Sequence, residues 1–178
     1  MVRGSNEFVG VQEMKRLHQV GEEGHAYGSY EKFLEWAKKG DWYLFGPMHH
    51  HYDWWMFPIA DRSSYGLKYT VTEESVEELK NDEQYMKNYR HAIQLMFQSW
   101  GWDIEKGEAI NNPDAEEQGM VWRNWDVRLL KVCKSMKLFF PQEDIYISNA
   151  FKFIKSIKNQ LRDQKLFSVI GKIEKSEL

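Results

Sequence analysis

Apolar residues recur along this chain with the 3.6-residue period of helices, and strict alternation is scarce. The clearest stretch runs from Asp82 to Trp100. Tyr85, Tyr89, Ala92, Ile93, Met96, Phe97 and Trp100 form one continuous face there, and Gly101 ends it. A second stripe passes through Trp122, Trp125, Leu129, Val132 and Met136. A third, Ile147, Phe151, Ile154, Ile157 and Leu161, follows Pro141, which predicts a helix starting at that proline. Ser29 is placed to cap a helix through Tyr30, Phe33, Leu34 and Ala37 that Gly40 closes. Thr72, followed by Glu73 and Glu74, opens another, because acids in a first turn suit the helix dipole. Met48 to Met56 predicts a helix stopped by Pro58, and residues 11–20 a short one ahead of Gly21, Gly24 and Gly28. Residues 103–120, broken by Gly107, Asn111-Asn112-Pro113-Asp114 and Gly119, predict a polar loop.

Together these segments predict an all-α fold, an irregular bundle of five to seven helices in a single domain. Within it, 1–28 is an N-terminal, partly irregular segment, 29–164 the helical domain, and 165–178 a basic amphipathic tail. In that tail Leu166, Val169, Ile170 and Ile173 share one helical face, a possible contact for a larger assembly.

Composition narrows the class. A length of 178 residues with 42% hydrophobic content is enough for one full core. A mean hydropathy of −0.68 and a longest apolar run of seven residues, Trp54 to Ala60, argue against a transmembrane segment. The first residues lack the apolar stretch of a secretory signal. Twenty-four basic against 27 acidic residues, net −3, argue against a dedicated nucleic-acid binder. Cys133 is the single cysteine, so no intrachain disulfide forms, and a cytoplasmic, reducing setting is expected, or a nuclear one in a eukaryote.

Candidate chemistry concentrates in Met48-His49-His50-His51-Tyr52-Asp53-Trp54-Trp55-Met56-Phe57. On a helix, His49 and Asp53 lie at i, i+4 and make half of a metal site, with His91 or Asp61 as possible further ligands. The plainer reading is that one histidine turns inward and its neighbours face water. There is no Gly-x-Ser-x-Gly elbow and no glycine-rich phosphate loop, and the lone thiol sits on an apolar stripe. No catalytic residue is assigned and no cofactor is predicted, so the sequence leans away from an enzyme. The eight tryptophans can stack a ligand or cage a cation, but indoles at helical spacing more often fill a core.

The run His50-His51-Tyr52-Asp53-Trp54-Trp55-Met56-Phe57-Pro58-Ile59 resembles the His-x-Tyr-x-x-Trp-Leu-Phe-Pro-Leu signature of the opioid growth factor receptor family. Two further segments are similar in the same order. Ala92-Ile93-Gln94-Leu95-Met96-Phe97-Gln98-Ser99-Trp100-Gly101 resembles that family's Ala-Tyr-x-Leu-Met-x-x-(aromatic)-Tyr-Gly helix end. Val127-Arg128-Leu129-Leu130-Lys131-Val132-Cys133-Lys134-Ser135-Met136 is similar to its Leu-Arg-Ile-x-Arg-Ile-Leu-Lys-Ser-Leu helix. The resemblance spans about residues 42–156 and departs at Asp53, where the signature is apolar, and at the added Trp54. It implies a small stand-alone relative of the conserved N-terminal region of proteins whose vertebrate form is an intracellular receptor for an enkephalin pentapeptide. It implies no catalytic residues. The expected function is therefore a non-catalytic module binding a peptide or protein through His50, Tyr52, Asp53, Trp54 and His91. The alternatives are a structural subunit of a larger assembly, or a metal-binding protein or enzyme centred on His49 and Asp53.

Overall fold

The computed structural model describes residues 9–21, 29–45, 52–60, 69–113 and 126–157. Helix dominates them, at 66% of the described residues, as the periodicity predicts. Helices α1 (Val11–Leu17) and α2 (Tyr30–Lys39) come first, then a 3-10 turn at Trp42–Phe45 and the single turn α3 (Asp53–Met56). They are followed by α4 (Glu73–Lys80), α5 (Glu83–Ser99), a hairpin of β1 (Trp102–Asp103) and β2 (Glu108–Ala109), then α6 (Asp126–Phe139) and α7 (Ile145–Ile157).

Local chemistry sets the boundaries. The Ser29 hydroxyl accepts from Lys32 N–H to start α2, and Gly40 ends it in the left-handed region, where a side chain is disfavoured. Thr72 and Ser75 form a reciprocal capping box on α4, and the Asp82 carboxylate accepts from Tyr85 N–H to start α5. α1 is weaker: its N-cap is Gly10, which supplies no side-chain bond, and only Met14 and Leu17 of its residues are buried.

Helix α5 is the axis of the molecule. Its Tyr85, Tyr89, Ala92, Ile93, Met96 and Phe97 are buried, on the face the sequence predicts. Against it lies an aromatic block in which Phe33 and Phe45 stack at 4.3 Å and Tyr52 packs on Phe33 at 5.1 Å. The Tyr52 hydroxyl donates to the Phe45 carbonyl at 2.7 Å. That carbonyl also accepts from the Arg128 guanidinium of α6 at 2.7 Å, and the guanidinium lies 5.1 Å from the Tyr52 ring centre. Tyr52, Trp55, Met56 and Phe57 are each fully buried, so the described part of the signature run builds the core. Full burial of large aromatics and thioethers contributes about 1.5–3 kcal/mol per side chain.

Two sequence expectations are corrected. The polar loop placed at 103–120 contains the hairpin, where Trp102 pairs with Ala109 and Asp103 with Glu108, and Trp102 and Ile104 are buried. The last helix starts at Ile145 rather than Pro141, because the Asp144 carboxylate accepts from Tyr146 N–H and takes the capping role. The predicted Met48–Met56 helix is seen from Asp53 to Met56, its earlier residues lying outside the described ones. Trp122, Trp125 and the 165–178 tail are outside them as well.

Candidate functional site

Of the sequence candidates, His49 and His50 lie outside the described residues, and the side chains of Asp53 and Trp54 are not described. Tyr52 is sealed in the core. His91 is exposed on α5, on the side of the helix away from Met96, the residue that meets the Tyr52 hydroxyl. The structure therefore does not bring Tyr52 and His91 to one site. Among the described residues no group of three or more His, Cys, Asp or Glu is placed to hold a metal ion. The described tryptophans, Trp36, Trp42, Trp55, Trp100 and Trp102, are all buried, which places them in the core rather than on an open stacking platform.

His91 does lead to a different feature. Its Nδ1 lies 3.1 Å from the Gln94 Oε1, one turn further along α5. The Gln94 amide donates in turn to the Glu105 carboxylate of the hairpin and to the Tyr146 hydroxyl of α7. The Tyr146 hydroxyl also donates to Glu105, at 3.1 Å. Three elements thus meet on one polar node: α5 supplies an amide, the hairpin a carboxylate and α7 a phenol.

Beside this node opens a cleft of about 230 Å³, lined by Gln94, Gln98, Trp102, Asp103, Ile104, Glu105 and Ile110. The hairpin forms one wall of it. Gly101 takes φ +79° to turn the chain off α5, and Gly107 takes φ +69° at the hairpin turn. A β-carbon on Gly107 would stand 2.4 Å from the Asn149 Oδ1 of α7, so any other residue must displace that side chain and take a left-handed φ. Asn149 donates to the Ile104 carbonyl at 2.8 Å, and the Trp102 indole N–H donates back to the Asn149 carbonyl at 3.1 Å. α7 therefore grips the hairpin from below.

The same corner is braced by Arg90. Its guanidinium lies between the Phe140 ring at 4.5 Å and the Tyr146 ring at 4.4 Å, and bonds both Asp144 oxygens at 3.2 and 2.5 Å. Burial alone would push the Asp144 carboxyl up. The Arg90 hydrogen bond and the Tyr146 N–H outweigh it and hold Asp144 below the usual carboxylate range. The Tyr146 phenol is pushed up to about 12, first by burial, and stays a neutral donor.

Electrostatically the cleft is one-sided. The Asp103 carboxylate accepts from the Glu105 and Lys106 backbone N–H groups, both at 3.0 Å. Neither Asp103 nor Glu105 forms an ion pair among the described residues. Two carboxylates thus stand at the mouth of a cleft whose apolar lining is Ile110 with the largely buried Trp102 and Ile104, and no basic side chain of the described residues is paired to them.

No protein-family model, curated protein or solved structure matches the chain.

Sequence reasoning missed this cleft. Its signals were Trp102 and Ile104 two apart, with Gly107 as the turn, inside a segment otherwise rich in loop residues. It also missed His18, a fully buried histidine. Met14, Leu17 and His18 fall at i, i+3, i+4, a helical face that could have flagged it.

Proposed function

We propose that this chain is a non-catalytic module that binds a peptide or protein partner, taking a lysine or arginine side chain of that partner into the cleft beside β1. The observation that carries this reading is Asp103 and Glu105, carboxylates outside any ion pair among the described residues, set against Trp102, Ile104 and Ile110. A basic side chain has the matching anatomy, with an apolar stem for Ile110 and the exposed edge of Trp102 and a charged head for the carboxylates. His91 and Gln94 extend the polar rim. The resemblance to a family with peptide receptors supports a binding role. No helix among the described residues is long and apolar enough to cross a membrane, and the single cysteine, Cys133, is buried. This reading places the module in the cytoplasm, or in the nucleus of a eukaryote.

Calorimetric titration with a short arginine-containing peptide and its uncharged citrulline counterpart tests the proposal. The arginine peptide binds at least about tenfold more tightly, a difference of about 1.4 kcal/mol. The double variant Asp103→Asn, Glu105→Gln abolishes that preference. Equal binding of the two peptides, or none of either, refutes it.

A further inference from the structure

We infer that the cleft beside β1 selects the primary ammonium of an unmodified lysine over the guanidinium of arginine, a preference that rests on the binding role proposed above. Each carboxylate there has one oxygen engaged by the fold and one left open. Asp103 Oδ1 accepts the Glu105 and Lys106 backbone N–H groups, both at 3.0 Å, and these bonds hold the hairpin turn. Glu105 Oε1 accepts the Gln94 amide of α5 and the Tyr146 hydroxyl of α7. Two donors fill the two lone pairs of an oxygen. Asp103 Oδ2 and Glu105 Oε2 accept from none of the described residues, and Lys106 on the same turn pairs with neither.

A guanidinium gains most from a carboxylate through the parallel fork, two N–H groups on the two oxygens of one acid. At Asp103 and at Glu105 that fork would have to share an oxygen already holding two structural bonds. Its other advantage is stacking on an aromatic face. Trp102 is the only aromatic residue among the described ones that line the cleft, and it is 6% exposed. Its ring lies 5.3 Å from Phe153, centre to centre, and its N–H is taken by the Asn149 carbonyl.

An ammonium needs neither device. It is a compact charge whose three N–H groups diverge, which suits single oxygens on separate side chains. Gln98 of α5 also lines the cleft, and its side-chain amide forms no hydrogen bond among the described residues, which makes its oxygen a third acceptor. Glu105 is exposed and Asp103 half-buried, so the head group stays at the mouth, where a strongly hydrated ammonium keeps its remaining water. The same geometry makes binding sensitive to lysine modification. A trimethylated head keeps its charge but has no N–H for the open oxygens, and no open aromatic cage is present among the described lining residues to receive it.

Calorimetric titration of the full chain with one short peptide, carrying lysine, arginine, trimethyl-lysine or acetyl-lysine at a single position, tests the preference. The lysine peptide binds at least about fivefold more tightly than the arginine peptide and about tenfold more tightly than the trimethyl-lysine one. Tyr146→Phe keeps the ring beside Arg90 and frees one lone pair of Glu105 Oε1, so the lysine-to-arginine ratio falls by about twofold or more. Arginine or trimethyl-lysine binding as tightly as lysine, or a ratio that Tyr146→Phe leaves unchanged, would overturn the inference. The binding role itself survives those outcomes if lysine and arginine still exceed acetyl-lysine. Equal binding of lysine and acetyl-lysine overturns both.

Discussion

The aromatic block around Tyr52 and the hairpin corner around Glu105 lie on different sides of α5 and solve the same problem differently. In the block, each polar atom discussed above meets a backbone partner: the Tyr52 hydroxyl and the Arg128 guanidinium converge on one carbonyl of Phe45. Those polar atoms are spent on holding the fold. In the corner, side chains meet side chains, through Gln94, Glu105, Tyr146, Arg90 and Asp144. Such a network leaves carboxylate capacity unspent at Asp103 and Glu105. On the proposed function, stability and recognition are divided between the two sides of one helix.

Four substitutions break or sharpen that contrast. The largest effect is expected in the block: Trp55→Ala removes a fully buried indole and should cost about 3–5 kcal/mol, read by chemical denaturation. A variant that melts like the parent would dissolve the distinction. Gly107→Ala comes next, because it forces a β-carbon into both an unfavourable φ and the Asn149 side chain. About 1–3 kcal/mol should be lost, with exchange protection falling first in the hairpin.

Asp144→Asn should cost about 1 kcal/mol near neutral pH by weakening the Arg90 pair and the cap on α7. The sign of its pH dependence is fixed. Asp144 is held below its unfolded value, so its contribution is present above about pH 4 and lost in stronger acid, where variant and parent should converge. The smallest effect on stability belongs to the double change Asp103→Asn, Glu105→Gln, below about 1 kcal/mol, because the amide oxygens still accept the bonds that the carboxylates accept. A marked destabilisation by that pair would recast the cleft carboxylates as structural.

The elements that were legible in the sequence are those with long periodic faces or explicit caps. Tyr85 to Phe97 in α5, Ser29 before α2 and Thr72 before α4 are strong signals because burial or capping needs those residue types at those spacings. The hairpin was not legible: strands of two residues are too short for alternation to register, and the Asn149 side chain that braces them comes from about 45 residues away. Pro141 misled for a related reason, since Asp144 competes for the same role and its pairing with Arg90 lies across the fold. The site was less legible than the fold. The histidine-rich run attracted the chemical reading, while the cleft is assembled from α5, the hairpin and α7, residues whose proximity no local pattern announces.

The Asn149 carboxamide beneath Gly107 has a consequence for how such a chain diverges. The space that a β-carbon would need at 107 is filled by a side chain from another helix, so the two positions form a single heritable unit. Trimming Asn149 would open room yet strip the Ile104 carbonyl of its donor, so neither position drifts freely. The hairpin and the middle of α7 should therefore be exchanged together in any chimera, and a graft that moves one without the other should lose the cleft while keeping its helices.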